Sequence, residues 1–210
     1  MRCDGAGRGC VRVQSVFAWK VAARRPADSF VEDYEMADRE PRKTKNLDRY
    51  GNPPLPWSRP RGILDGIEPS EMITWFLGTV RPDGRPHAAG VGALWHDSSL
   101  YFTSGPGTRK SKDLAANPAA TVSVQLDGID LVFDGRATRV TEAKTLETVA
   151  DRYRAGGWPV EVEGDAFTAP FSAPSAGPPP WSLYRLEFDK VVGVATAEPN
   201  GATRWRFDGE

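Results

Sequence analysis

LYFTSGPGTRKSKDLAANPAATVSVQL, residues 100–126, is the stretch whose reading decides the fold. It opens as a β-strand, LYFTS, and breaks at Gly105-Pro106-Gly107. It resumes as SKDLAANP, a short helix with Ser111 available as its cap and Asn117-Pro118 as its stop. TVSVQL then alternates apolar and polar residues with the period of a half-buried strand. Three basic side chains, Arg109, Lys110 and Lys112, fall within four positions of the turn, although residues 61–210 carry 15 Lys+Arg against 20 Asp+Glu. Cations at a helix start cost about 0.3–1 kcal/mol unless an anion compensates them, so a merely solvated turn is the weaker explanation. The leading N–H groups of a helix lack intrahelical acceptors, and the pattern therefore predicts a phosphate site. Arg109 supplies a forked contact, Lys110 and Lys112 act as point charges, and Thr108 and Ser111 add hydroxyls.

Working outward, the neighbouring segments read mainly as β-structure. Regular structure is expected from EPSEMITWFLGTV (68–80), with Pro69 suited to a first helical turn and Ser70 to a cap. TWFLGTV and HAAGVGALW flank RPDGRP, whose Asp83-Gly84 is a hairpin signal. LVFDGRATRVT pairs naturally with TVSVQL through DGID, and TEAKTLETVADRYRAGG (141–157) is the clearest helix, with Thr141 as cap and Gly156-Gly157 at its end. WSLYRLEF, VVGVATA and RWRF read as three closing strands. Hairpin spacing dominates and helical crossovers are few. The expected class is mainly β (α+β), a closed or split antiparallel barrel with a few short helices. Between the last helix and WSLYRLEF, residues 156–180 hold ten Gly or Pro out of twenty-five and show no periodicity, which marks a functional or disordered loop.

Composition narrows the function classes. A net charge of −1 and a pI near 6.2 disfavour nucleic acid as the main partner. Only two cysteines occur, Cys3 and Cys10, so neither a disulfide framework nor a cysteine-based metal site is expected. VRVQSVFAWKVAA (11–23) is interrupted by polar and charged residues, which is poor for a spanning helix, and a cytoplasmic protein without a membrane partner is expected. Residues 1–60 carry 12 basic and 8 acidic side chains, a shift that suggests an N-terminal extension or arm over 1–60 and a cofactor-binding barrel domain over 61–210. Met36 offers an alternative translation start, which would make residues 1–35 an upstream extension. The Pro-rich segment ending at Pro60 is expected to form neither helix nor central strand, and to lay Leu47, Tyr50, Leu55 and Trp57 over another surface.

The order strand, Thr-Arg-Lys-Ser-Lys-Asp-Leu, Ala-Ala-Asn-Pro and alternating strand resembles the cofactor-phosphate segment of the pyridoxamine 5′-phosphate oxidase-like family, over about residues 68–207. The resemblance implies a homodimeric split barrel that binds a flavin or deazaflavin between its two copies. Carried onto this chain, it places Thr103 and Ser104 near the ribityl and phosphate groups, and Thr108, Arg109, Lys110 and Lys112 on the phosphate. Val91, with Gly90 and Gly92, would lie against the flat ring. The chain ends ATRWRFDGE, which departs from the Arg-Leu-x-Pro ending of the namesake oxidases and argues against pyridoxamine phosphate as substrate. The extended AFTAPFSAPSAGPPPW loop and the GATRWRF end resemble the F420-using branch, which implies F420, with FMN as the other cofactor, and hydride transfer to or from a small organic substrate. A non-enzymatic binder of a planar anionic ligand is the rival. Lys43, Lys45 and Arg49 are candidates to meet the anionic tail of F420.

Other chemistry-bearing residue types are weaker candidates. His96-Asp97-Ser98 reads as a turn, since a working triad needs spatial adjacency. His87 is expected to face solvent, and two histidines without usable cysteines make zinc improbable. Trp158, Trp181 and Trp205 read as core aromatics, with Trp181 and Phe171 as candidates for any wall over the ring. No acid–base residue is identified.

Overall fold

One strand, β10 (Ser182–Ala195), organises the molecule by serving two sets of partners. Along one edge it pairs with β7 (Ile129–Val140) over nearly its whole length. Along the other, its first half pairs with β5 (Ser99–Ser104) and its second half with β11 (Ala202–Arg206). The change of partner coincides with a register shift between Phe188 and Lys190, a bulge of the kind that bends a strand. The computed structural model describes residues 39–172 and 176–207. The expectation of an upstream extension over 1–35, and both cysteines, lie outside the described residues.

From β7 the sheet continues antiparallel through β6 (Ala119–Leu126) and β2 (Trp75–Val80) to β3 (Pro86–Val91). A single residue, Gly92, then leads into β4 (Ala93–His96), which pairs with β5. The path β5–β10–β7–β6–β2–β3 thus returns to β5 through the chain itself, closing a barrel that opens at one side where β11 leaves it. This is a split antiparallel barrel, as the sequence suggested. Leu77, Phe102, Val122, Phe133 and Trp205 fill its interior at 0% exposure.

Several boundaries differ from the sequence reading. Pro69 and Ser70 form a turn, closed by the Glu71 amide donating to the Glu68 carbonyl, because too few residues remain before β2 to repay helix nucleation. HAAGVGALW is two strands, since Gly92 turns the barrel corner. WSLYRLEF and VVGVATA are one strand, because Asp189-Lys190 forms a bulge rather than a turn. Helix α1 (Ser58–Asp65) starts inside the Pro-rich segment, with Pro60 in its first turn, where an N–H would have no intrahelical acceptor. Ahead of α1, β1 (Lys43–Asn46) pairs with β11, and Leu55 and Trp57 are buried, while Leu47 and Tyr50 are exposed.

A second apolar layer covers the outer face of β4, β5 and β10. Helix α3 (Ala143–Ala155) presents Leu146, Val149 and Ala150 to Tyr101 and Leu183, and Glu142 rather than Thr141 occupies its cap position. The Gly/Pro-rich segment supplies the rest. It folds a small hairpin, β8 (Glu161–Glu163) and β9 (Ala166–Thr168), and Phe167 bonds backbone to backbone with Trp181 at 2.8 Å in both directions. Its lack of periodicity reflects strands of only three residues.

The bulge makes one glycine indispensable. A Cβ on Gly135, opposite Phe188, would collide with backbone atoms of Glu187 and Phe188. Gly135→Ala is therefore expected to destabilise the fold by about 2–3 kcal/mol, because two backbones must move apart. Urea unfolding checks this, and an unchanged midpoint would refute it.

Candidate cofactor site

The turn after β5 ends in helix α2 (Arg109–Ala116), and Thr108, not Ser111, is its N-cap. Thr108 Oγ1 accepts from the Ser111 amide at 3.3 Å and donates to the Gly105 carbonyl at 2.9 Å. Ser111 Oγ donates to Ser104 Oγ at 2.7 Å, and Ser104 Oγ lies 2.8 Å from Thr108 Oγ1. Each hydroxyl has one proton, so the direction of the chain is fixed: Ser111 to Ser104, Ser104 to Thr108, Thr108 to the Gly105 carbonyl. The three hydroxyls hold the turn in shape and have no proton left to donate outward. Ser111 heads the apolar helical pattern, yet it is not the cap: it is the first donor of this hydroxyl chain.

The three cations separate into two sets. Arg109 and Lys112 are exposed and stand one turn apart on the same side of α2. Lys110 is 4% exposed, and burial pushes its ammonium below the usual lysine range. Thr103 is half-buried opposite Leu183, and Ser104 is fully buried opposite Ser182. Val91 is a core side chain paired with Trp75, two residues before β4. Since Ala93 pairs with Phe102, Val91 belongs to the same end of the barrel as Thr103 and Ser104. Gly90 and Gly92 beside it are exposed, with open space where a Cβ would stand. Tyr153 of α3 donates from its hydroxyl to the Gly92 carbonyl at 3.0 Å, and burial pushes that phenol up.

Two features of this region were not read from the sequence. First, the Gly/Pro-rich segment closes on the basic turn: a Cβ on Gly105 would strike the Ala176 carbonyl, and Trp181 Nε1 donates to the Gly177 carbonyl at 3.1 Å. Trp181 is fully buried by this packing and cannot form a ligand-facing wall, whereas Phe171 is 45% exposed. Second, α2 carries a buried carboxylate, Asp113, at 0% exposure. Its Oδ2 accepts from Thr79 Oγ1 at 3.0 Å, and its Oδ1 lacks a hydrogen bond and lies 4.0 Å from Arg109 Nη1. His87 Nδ1 is 3.3 Å from Thr79 Oγ1 and 3.7 Å from Asp113 Oδ2.

Because the Thr79 proton goes to Asp113, the network assigns the proton between His87 and Thr79 to Nδ1. His87 is thus half-buried and held, rather than turned to solvent. It borders, with Thr79, Ala88, Ala120, Thr121 and Gly135, an open cavity of about 700 Å³. The Thr79–His87 cross-strand pair was available from the hairpin register about Asp83-Gly84; its link to a residue 34 positions away was not. Thr79→Val removes the donor to a buried carboxylate and is expected to cost about 1.5–3 kcal/mol, read by chemical denaturation. A cost under a few tenths would mean that Asp113 finds another donor.

His96 sits before a turn in which Asp97 and Ser98 take positive φ values of 48° and 50°, and burial is the main cause lowering its pKa. Among the described residues, no group of three or more His, Cys, Asp or Glu side chains could hold a metal ion, and no helix is long and apolar enough to cross a membrane.

The closed ring, the shared strand and the capped basic turn define a split-barrel protein. A family model, pyridoxamine 5′-phosphate oxidase, matches residues 69–195, more than half of the sequence, and the chain belongs to that family. Similar solved structures include a NimC/NimA family protein from Clostridium acetobutylicum, 15% identical over 70% of this chain and 91% of its own, with a TM-score of 0.47. A pyridoxamine 5′-phosphate oxidase-related, FMN-binding protein from Nostoc punctiforme is 16% identical over 74% and 98%, with a TM-score of 0.45. An F420 reductase is 22% identical over 62% and 94%, with a TM-score of 0.42. No curated protein matches the sequence.

Proposed function

We propose that this chain is a homodimeric, cytoplasmic oxidoreductase that binds F420 or FMN and transfers a hydride to or from a small organic substrate. Membership of an oxidase family supports the general class. The observation that carries the cofactor reading is the turn at α2, where Arg109 and Lys112 stand exposed on one side of a capped helix start. That donor set suits a phosphate, since a helix start and two cations favour the same negative charge. Ser104 and Thr108 keep the turn in shape, and Lys110 adds positive potential from beneath. Thr103 and Val91 border the route from the turn towards Gly90 and Gly92, where bare backbone leaves room for a flat ring.

A flavin-type group, when bound, supplies the hydride chemistry, and the chain's contribution is position and electrostatics. Asp113 orients the Arg109 guanidinium through an ion pair too long to compete with a phosphate. The dimer reading rests on the uncovered outer face of β2, β6 and β7, where Phe76 is 52% and Val132 38% exposed. A sheet face of that kind normally acquires a partner.

The test is the absorbance spectrum of the purified protein, followed by titration with F420 and with FMN and by sedimentation. Micromolar binding of one of them by a dimer is expected. If neither binds, the reading fails; if one binds without turnover of any acceptor, the protein is a binder rather than an enzyme.

A further inference from the structure

A second concentration of positive charge lies elsewhere. Strands β1 and β11 pair so that Lys43 stands opposite Arg206 and Lys45 opposite Arg204. Directly paired residues share a sheet face, so four cations project together, while Thr203 and Trp205 are buried on the other face. They line a shallow groove of about 580 Å³ with Thr44. The next cation on that face, Lys190 opposite Arg206, is neutralised by Asp134 at 2.6 Å. Among the described residues, none of the four has an ion pair or a side-chain hydrogen bond.

Like charges directly opposite one another destabilise a sheet, and here two such pairs are adjacent in a chain of net charge −1. Lysines on an edge strand are a common guard against edge-to-edge aggregation, which accounts for Lys43 and Lys45. It does not account for Arg204 and Arg206 on the interior strand β11.

We propose that this face is a binding site for an oligophosphate, an anion of two or three linked phosphoryl groups. The four side chains leave the sheet at corners about 5 Å apart across the strands and about 7 Å apart along them, within reach of neighbouring phosphoryl groups on one ligand. The two guanidinium forks match phosphate oxygens, and the two exposed lysines close the rim. The site is distinct from the turn at α2. Ser104, beside that turn, pairs with Ser182, whereas β11 pairs with residues 190–194, on the far side of the bulge in β10.

The experiment is calorimetric titration with sodium tripolyphosphate, using the full chain carrying Arg109→Ala/Lys112→Ala so that the α2 turn does not compete. One site per chain is expected, and sulfate at matched ionic strength should not displace the ligand. Adding Arg204→Gln/Arg206→Gln should weaken binding about 100-fold, and Lys43→Gln/Lys45→Gln about tenfold. The lysine pair is exposed, so its replacement keeps the test available if the arginine variant folds poorly. No binding, equal displacement by sulfate, or wild-type affinity in the variants overturns the proposal. F420 and FMN affinity in Arg204→Gln/Arg206→Gln should match wild type, which keeps failure of this site separate from failure of the cofactor reading.

Discussion

Arg109→Ala/Lys112→Ala should lose at least about a hundredfold in cofactor affinity, since each charge-assisted contact to a phosphate is worth about 1.5–3 kcal/mol. The two side chains share one side of α2 and are exposed, so their removal opens no cavity. Folding stability should move by no more than about 1 kcal/mol, since Arg109 is exposed and its ion pair with Asp113 is long. The separation of these two readouts is the informative part. Asp113 is released from its ion pair in the variant, but its hydrogen bond from Thr79 persists. Titration with FMN and F420 beside thermal unfolding decides the matter. Unchanged affinity would leave the turn as a solvated surface feature.

Trp205→Ala should cost about 3–5 kcal/mol of stability, the range for deleting a fully buried aromatic. The ring is 0% exposed and lies against the backbone of Gly193, where a Cβ would come within 2.7 Å of it. It also meets Trp57 edge-on at 5.4 Å, joining the segment before α1 to β11. Its Nε1 has no hydrogen-bond partner, so the loss is one of packing alone. Trp205→Phe should then recover much of the deficit. A midpoint of unfolding within about 2 °C of wild type for the alanine variant, a shift worth less than about 1 kcal/mol, would show that this packing does not form in solution.

What could be read in advance follows the range of the interactions. The Asp83-Gly84 hairpin, the strand–helix–strand run about α2, and helix α3 are local patterns, and each was legible. The barrel class followed from hairpin spacing. Strand β1 was not legible, because KTKN has no apolar alternation and owes its conformation to backbone pairing with β11. Asp189-Lys190 has the composition of a turn, yet β7 holds both flanks in one ladder.

The site divides in the same way. The clustering of Arg109, Lys110 and Lys112 was plain in the sequence, but the burial of Lys110 is a consequence of which side of a short helix meets the barrel. Asp113, Thr79 and His87 meet only after β2, β3 and α2 have assembled, so no motif announces them.

The hydroxyl chain running from Ser111 through Ser104 and Thr108 to the Gly105 carbonyl bears on how fast, as well as how tightly, an anion is taken up. Its ordering entropy is spent when the protein folds and is not charged again at association. An arriving anion meets a backbone turn already in its bound shape, so capture should follow single-step kinetics governed by diffusion and ionic strength, with no slow rearrangement of the turn.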